Sequence, residues 1–356
     1  MTMGRRFGVW VPTFLVLCLV NVVRAVVTVG LALDHVFFPR FRRARIDRPI
    51  VIVGNPRTGT TFLQRFLTSN GVGAGLETWQ MLYPSLTLQK LIRPLLPRLE
   101  KLSPAGAVPK EVHETSLTSV ETDDASLTYR FFDGIFVYGY ALGWAEKEYL
   151  DLFDPAVQDS TPRDAAWLRK IWRRNLTGRG QSRVIAKLFS LTGRLPAFLK
   201  EFPDARVLYM VRDPVAVVPS TLSLVTGIAS LRLAIWEQPE AVKKRYFERL
   251  YHLLVEGVRR FHDDYFQGRI PKDRVLIVRY DRLMQDFETV MDEIFGFTGI
   301  EPTAELRAKI VDRAVKQRAY KSEHRYDLAK FGLDEARIRK DCAFMYEAFL
   351  PPLPAA

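Results

Sequence analysis

Cysteine and histidine are scarce in this chain of 356 residues. The two cysteines, Cys18 and Cys342, lie far apart, which excludes a disulfide framework and a cysteine zinc site and favours a reducing compartment. The five histidines form no H-x-x-x-H pair, so we expect no metal. Internal repeats and low-complexity tracts are also missing from the sequence. The remaining composition, 48% hydrophobic, suits one large α/β domain or two smaller ones.

Acidic residues are outnumbered by basic ones, and the formal net charge is +12. Such a balance suits an anionic partner, which could be a phosphorylated cofactor, a nucleic acid or an anionic membrane surface. Charge alone does not choose among these three, so the choice depends on motifs.

The N-terminal segment lacks charge over a long stretch. No residue from Phe7 to Val23 is charged, and a second apolar run from Ala25 to Leu33 follows Arg24. A membrane-spanning helix needs about 20 apolar residues, so the two runs together are long enough. No small-residue cleavage site is obvious, which disfavours a removed signal peptide. We therefore predict a membrane-associating segment at residues 1–48 and a separate domain at residues 49–356.

Three structures for this segment stay open: a spanning helix, a helix lying in the membrane interface, and a long helix buried in the core. Arg24 is costly inside a bilayer and fits an interfacial helix about as well as a spanning one. More arginines follow the apolar segment than precede it, which predicts that the main domain faces the cytoplasm.

The stretch IVIVGNPRTGTTFLQRFL, residues 50–67, is similar to a nucleotide-binding phosphate loop without its lysine. Gly54 and Gly59 have the spacing of G-x-x-x-x-G-K-[ST], Thr61 fills the hydroxyl position, and Thr60 replaces the lysine that meets the terminal phosphate of ATP or GTP. A short β-branched strand precedes the glycines and a helical pattern follows them. Backbone N–H groups of residues 55–61 should therefore converge on an anion at the start of that helix.

A second anion-binding pattern lies in FPDARVLYMVRDPVAVVPSTLSL, residues 202–224. Arg206 to Val211 is typical of a buried strand, while Asp213 and Pro214 are suited to begin a helix. Arg212 then lies at the carboxyl end of the strand, where open α/β sheets bind ligands, and Ser220 follows two turns into the helix. An arginine and a hydroxyl group at this place predict a second phosphate site.

Together these motifs resemble the PAPS-dependent sulfotransferases, whose donor is 3′-phosphoadenylyl sulfate (PAPS). NPRTGTTFL is similar to their 5′-phosphosulfate loop, and RDPVAVVPS to their 3′-phosphate element with its eight-residue step from Arg212 to Ser220. The resemblance implies a P-loop NTPase-like three-layer α/β sandwich with a central parallel sheet. It also implies that PAPS is bound and that its product, 3′-phosphoadenosine 5′-phosphate (PAP), is released. The implied loop contacts to the donor come from Pro56, Arg57, Thr58, Gly59, Thr60 and Thr61.

The same resemblance assigns catalytic roles. Arg57 and Lys187, in RVIAKLFSLTG, would stabilise the leaving phosphate. Glu77, in GVGAGLETWQ after a predicted short strand at residues 71–74, is the favoured general base because tyrosylprotein-type members place their acid in a similar stretch. His113 is its main rival because cytosolic members use histidine, and Asp123 with Asp124 are further candidates. Lys321 and His324 in the C-terminal segment are expected to close over the donor.

The acceptor is less well defined by the sequence. We expect a hydroxyl group, on a lipid or another hydrophobic alcohol or phenol, and the aromatic stretch YRFFDGIFVYGYALGW is either core or acceptor pocket. Two alternatives are a P-loop kinase or NTPase and a non-enzymatic membrane-associated protein that binds a nucleotide or RNA. The missing loop lysine disfavours the first, and the absence of an RNA-binding motif disfavours nucleic acid. The oligomeric state is not predicted.

Overall fold

The centre of the fold is a parallel sheet of four strands. The structure, a computed structural model, describes residues 2–102, 116–319 and 327–351. Within these ranges the strands are β1 (Ile50–Val53), β2 (Ile185–Lys187), β3 (Arg206–Val211) and β4 (Val275–Arg279), in the order β2-β1-β3-β4. Val51 of β1 pairs with Ala186 of β2 and Val207 of β3. All four carboxyl ends therefore lie at one edge of the sheet, as the resemblance implies.

Helices surround this sheet. Those that follow β1 and precede β2 are α3 (Thr60–Ser69), α4 (Thr78–Leu82), α5 (Leu86–Ile92), α6 (Leu96–Leu102), α7 (Asp124–Phe131), α8 (Ile135–Tyr140) and α9 (Thr161–Arg179). The later ones are α10 (Leu195–Glu201), α11 (Pro214–Ser230), α12 (Glu240–Phe266), α13 (Tyr280–Gln285), α14 (Phe287–Thr298), α15 (Ala304–Ala319), α16 (Glu335–Asp341) and α17 (Ala343–Ala348). Two more, α1 (Thr2–Phe7) and α2 (Trp10–Phe37), precede the sheet.

The sheet is buried on both faces, which explains why its strands are uninterrupted apolar runs. Successive side chains point to opposite sides of a strand. Val51 and Tyr209 therefore pack on one side with α9, α10 and α12, whereas Ile52 and Met210 pack on the other with α3 and α14. These three layers confirm the predicted sandwich.

One predicted strand is wrong. In place of a strand at residues 71–74, only Ala74 pairs, in an isolated parallel bridge to Val184. Gly71 has φ +74° and ends the helix before it, so the chain is not extended along the whole segment.

From Trp10 onwards the two N-terminal apolar runs form one continuous helix, α2, which is long and apolar enough to cross a membrane by length and composition. Only 11% of the most apolar 18-residue stretch of α2 is buried. The alternative of a long helix buried in the core is therefore wrong. Val27, Gly30 and Asp34 face the domain, whereas most of its apolar side chains are exposed.

Candidate active site

The phosphate loop (residues 54–61) has a backbone that requires its glycines. Gly54 has φ +138°, and a Cβ there would lie 2.6 Å from the carbonyl oxygen of Met210 on β3. Gly59 has φ +90°, and a Cβ there would lie 2.8 Å from the ring of Tyr280. Helix α3 begins directly afterwards at Thr60, so its unpaired N–H groups face the inside of the loop. This cradle fits an anion at the positive end of a helix dipole.

The second predicted anion-binding element contacts the first. Arg57, with φ +69°, donates from Nε to Oγ of Ser220 at 2.8 Å. Arg212 donates from Nη1 to the carbonyl oxygen of Arg57 at 2.8 Å, and its guanidinium lies 4.0 Å from the centre of the Tyr280 ring. As predicted from the sequence, Asp213 caps α11 by accepting from the backbone N–H of Val215 at 2.9 Å. The structure therefore brings the two motifs together at the carboxyl ends of β1 and β3.

Lys187 reaches the same place from the end of β2. Its side chain is buried, and Nζ lies 2.8 Å from Oγ1 of Thr61 and 3.7 Å from Oε2 of Glu121. Burial lowers the pKa of Lys187, while the Glu121 carboxylate opposes that shift. A lysine from a neighbouring strand thus stands beside the loop hydroxyl, although the loop itself has no lysine.

Glu121 is the acidic residue that the sequence interpretation missed. It precedes α7 and is 8% exposed. Oε1 accepts from Nη2 of Arg65 at 2.7 Å and from Oγ of Ser119 at 3.3 Å. Its carboxylate lies between two cations and lines the same cavity as the phosphate loop. The sequence signal for Glu121 was the acidic run ETDD at residues 121–124, in which only Asp123 and Asp124 were named as candidate bases.

Those aspartates hold the backbone at the end of β2 in place. Asp123 accepts from Nε1 of Trp172 at 2.9 Å and from the N–H of Lys187 at 3.1 Å. Asp124 accepts from the N–H of Phe189 at 2.6 Å. Both are buried away from the cavity, and burial raises the pKa of Asp123 to about 7. Their role here is to fix the strand end that carries Lys187.

Glu77 does not lie where the sequence interpretation expected. It caps α4 in a reciprocal arrangement with Gln80, accepts from Nε1 of Trp79 at 2.7 Å and forms an ion pair with Arg179. It lines a separate, polar cavity, and Arg65 stands between that cavity and the one lined by the phosphate loop. Glu77 and Arg57 are therefore not brought together.

A cavity of about 910 Å³ joins the phosphate loop to an apolar chamber. Part of its lining comes from the loop, Lys187 and Arg212. The apolar and aromatic part of the lining, here called the apolar chamber, includes Tyr129, Phe136, Tyr140, Leu222, Val225, Ile228, Leu250 and Leu253. The aromatic stretch is therefore divided, because Tyr138 and Trp144 are core residues while others face this chamber.

Three predicted site residues, His113, Lys321 and His324, lie outside the described residues. In the described ranges, no group of three or more His, Cys, Asp and Glu side chains is placed to hold a metal ion. That no metal takes part stays a prediction.

Comparisons with known proteins agree with this geometry. Residues 49–305 match the sequence model of the Sulfotransferase family. The chain is 26% identical, over 82% of its length and 78% of the relative's, to the omega-hydroxy-beta-dihydromenaquinone-9 sulfotransferase Stf3 of Mycobacterium tuberculosis, and equally to that of Mycobacterium bovis. The crystal structure of sulfotransferase STF9 from Mycobacterium avium covers 92% of this chain and 83% of its own, with a TM-score of 0.73 at 20% identity. That of STF1 from Mycobacterium tuberculosis has a TM-score of 0.63 at 19% identity, covering 90% and 83%. The chain belongs to the Sulfotransferase family.

Proposed function

We propose that the protein transfers the sulfuryl group of PAPS to the hydroxyl group of a hydrophobic acceptor, by in-line displacement at sulfur. The observation that carries this proposal is the single cavity that joins the phosphate loop, Lys187 and Glu121 to an apolar chamber. Family membership supports PAPS as the donor.

The donor end of the cavity fits a nucleotide with phosphate at two places. The loop amides and the start of α3 form one anion cradle, in which Gly59 leaves room beside Tyr280. The second anion-binding position lies next to this cradle and is formed by Arg57, Arg212 and Ser220. When bound, PAPS supplies an activated sulfuryl group and a phosphate leaving group; this chain supplies fixed donors and cations around them.

Lys187 and the loop threonines would stabilise negative charge that develops on the leaving oxygen. Nζ of Lys187 and Oγ1 of Thr61 are already within hydrogen-bond distance of each other, so both groups are preorganised beside the start of α3. Preorganised donors of this kind account for large parts of enzymatic rate enhancements. Pro56, Thr58 and Gly59 shape the loop that positions them.

Glu121 is the general base that the geometry favours. Its carboxylate lines the same cavity as the phosphate loop and the apolar chamber and lies 3.7 Å from Nζ of Lys187, so an acceptor hydroxyl in that cavity could reach it. Arg65 and Ser119 orient the carboxylate, so its free rotation is restricted. Glu77 is directed elsewhere, and His113 stays an alternative base.

The apolar chamber supports a lipid or another hydrophobic alcohol as acceptor. A related protein is named for its action on a hydroxylated menaquinone, which is the same chemical class. The exposed apolar helix α2 supports membrane association, and the arginines that flank it favour the anionic cytoplasmic leaflet, so that the catalytic domain would face the cytoplasm. Helix α7, whose Tyr129 lines the chamber, also contacts α2.

The test is transfer of radiolabelled sulfate from PAPS to a long prenol, geranylgeraniol, and to a water-soluble sugar, trehalose. We expect sulfation of the prenol and little of the sugar. Glu121→Gln should lower kcat by about 10²–10⁴-fold, the usual contribution of a general base. The matched control Glu77→Gln should change kcat by no more than a few-fold. Loss of activity in the Glu77 variant with retention in the Glu121 variant would overturn the assignment of the base.

A further inference from the structure

The N-terminal end of α2 is attached to the catalytic domain through α1. Phe7 packs edge-to-face against Trp144, with 5.2 Å between ring centres, and Arg6 forms an ion pair with Glu146. Gly4 lies against the indole of Trp10, where a Cβ would come within 2.3 Å of the ring. The hairpin between α1 and α2 is therefore closely packed, and it holds the start of α2 on the domain.

The other end of α2 is attached through a buried ion pair. Asp34 is fully buried and accepts from Nε of Arg174 at 2.7 Å, from Oγ of Ser85 at 2.8 Å and from the N–H of Thr87 at 2.8 Å. One helical turn earlier, Gly30 lets α5 approach, because a Cβ there would meet Leu88 at 2.7 Å. A buried carboxylate with these partners fixes the end of α2 to α5 and α9.

The middle of α2 contacts α7. Arg24 donates from Nε to the carbonyl oxygen of Tyr129 at 3.0 Å, and Arg130 donates from Nη1 to Oγ1 of Thr28 at 3.1 Å. The one charged residue between the apolar runs, Arg24, is thus directed towards the domain and donates to a carbonyl oxygen of α7.

The side of α2 that faces away from the domain is apolar and exposed, and no residue from Trp10 to Val22 is buried; this exposed surface continues onto neighbouring segments. Leu91 lies on α5, which contacts α2, and is exposed. Leu95, shortly after α5, and Phe132, whose ring lies 5.9 Å from the guanidinium of Arg24, are also exposed. The exposed apolar side chains of α2 itself include Trp10, Val11, Phe14, Leu15, Leu19, Val22, Val26, Val29, Leu33, Val36 and Phe37. The basic residues at the two ends of this surface are Arg5, Arg40, Arg42, Arg43 and Arg45, all of them exposed.

These attachments decide between the two membrane arrangements of α2. The helix of 28 residues is about 42 Å long at 1.5 Å per residue, longer than the roughly 30 Å hydrocarbon core. Because one domain holds both ends and the middle, a spanning α2 would require that domain on both sides of the bilayer or would require the contacts of Asp34 or Phe7 to break.

We infer that α2 lies flat in the membrane interface as an in-plane helix that stays packed along the catalytic domain. Its exposed apolar surface would then lie in the acyl region of an anionic bilayer. The arginines at its two ends complement anionic headgroups, which favours lipid over a second copy of this chain as the occupant. The inference extends the membrane association proposed above and does not depend on which acceptor is sulfated.

The test measures membrane depth at three positions on the exposed face, each spin-labelled singly in the full-length protein bound to vesicles of phosphatidylcholine and phosphatidylglycerol. Cys18 is a native exposed site, and Val22→Cys and Val29→Cys are made in a Cys18→Ser background. Cys342 is buried, and burial raises the pKa of its thiol to about 12, so it should not be labelled.

An in-plane helix predicts the same shallow depth at all three positions. A spanning helix predicts that position 22, near the helix centre, lies about 6 Å deeper than positions 18 and 29, and that result would overturn the inference. A dimer in solution that covers the exposed face of α2 would also overturn the inference. The same holds for a mature chain whose mass shows that α2 has been removed.

A paired set of variants tests the surface itself. Val22→Asp with Val29→Asp should abolish vesicle binding, whereas Val311→Asp with Val315→Asp, equally exposed valines on α15, should leave it intact. Equal binding by both double variants would contradict the inference. PAP should raise the melting temperature of both double variants, because neither pair of valines lies in the donor site. If PAP did not stabilise them, the proposed function would be contradicted, whereas the result on membrane binding would stand.

Discussion

Glu121 and Lys187 form an ion pair in the lining of the large cavity, with 3.7 Å between Oε2 and Nζ. Neither side chain comes from the phosphate loop, yet both lie beside its Thr61 end. The end of β2 and the segment before α7 therefore hold side by side the two residues that we propose as the base for the acceptor and the cation for the leaving group.

The charge of Lys187 should set the alkaline limit of activity. Lysine is charged below its pKa, and burial lowers the pKa of Lys187, so the ammonium charge is lost at a lower pH than in an exposed lysine. We expect kcat to fall as pH rises through that lowered pKa. Lys187→Met should reduce kcat by about 10²–10³-fold at neutral pH. Lys187→Arg keeps its charge and should therefore move the alkaline limb of the pH–rate profile to higher pH. An alkaline limb at the same pH in this variant would show that a group other than Lys187 causes it.

Gly59 should be intolerant of a side chain. Its φ of +90° is strained for any other residue, and a Cβ would lie 2.8 Å from Tyr280, whose ring packs against Arg212. We expect Gly59→Ala to weaken PAP binding at least about tenfold, equivalent to about 1.4 kcal/mol. Gly296→Ala, which meets no neighbour within 4 Å, is the matched control and should bind PAP normally by calorimetry.

Asp123 should make the stability of the fold fall as pH rises. Burial raises the pKa of Asp123 to about 7, whereas an aspartate in an unfolded chain has a pKa near 3.9. Between about pH 4 and pH 7 the folded protein therefore holds a proton that the unfolded chain has released, and its stability decreases with rising pH through this window. Asp123→Asn cannot titrate, so the slope of unfolding free energy against pH should flatten in urea titrations. An identical slope in both proteins would contradict this prediction.

The sequence predicted those parts of the site that are built from local chain geometry. The strand at residues 206–211, the cap at Asp213 and the helix after the glycine loop all follow from neighbouring residues, and the structure confirms them. The rule that parallel strands expose their carboxyl ends at one edge placed Arg212 there, whereas the hydrogen bond between Arg57 and Ser220, 163 residues apart, was not predicted. Family membership likewise decides against the kinase and nucleic-acid-binding alternatives.

The position of the acidic residues could not be predicted in the same way. Glu77 has a local partner, Gln80, and the spacing E-x-x-Q is that of a helix-capping pair, which its resemblance to a catalytic stretch concealed. Glu121 faces the cavity because its backbone pairs with Leu76 and its side chain meets Arg65 and Lys187, contacts between segments distant in sequence. The attachment of α2 to the domain also depends on distant partners, above all Arg174.

The most direct test of the central claim is a thermal-shift titration of the detergent-solubilised protein with PAP, ATP and ADP. The wild-type chain is compared with Arg57→Ala and Arg212→Ala. A ligand at a hundred times its dissociation constant stabilises the folded state by about 2.7 kcal/mol, which is enough to measure. We predict stabilisation by PAP that is lost in both variants. A response to ATP with magnesium and none to PAP would contradict the account.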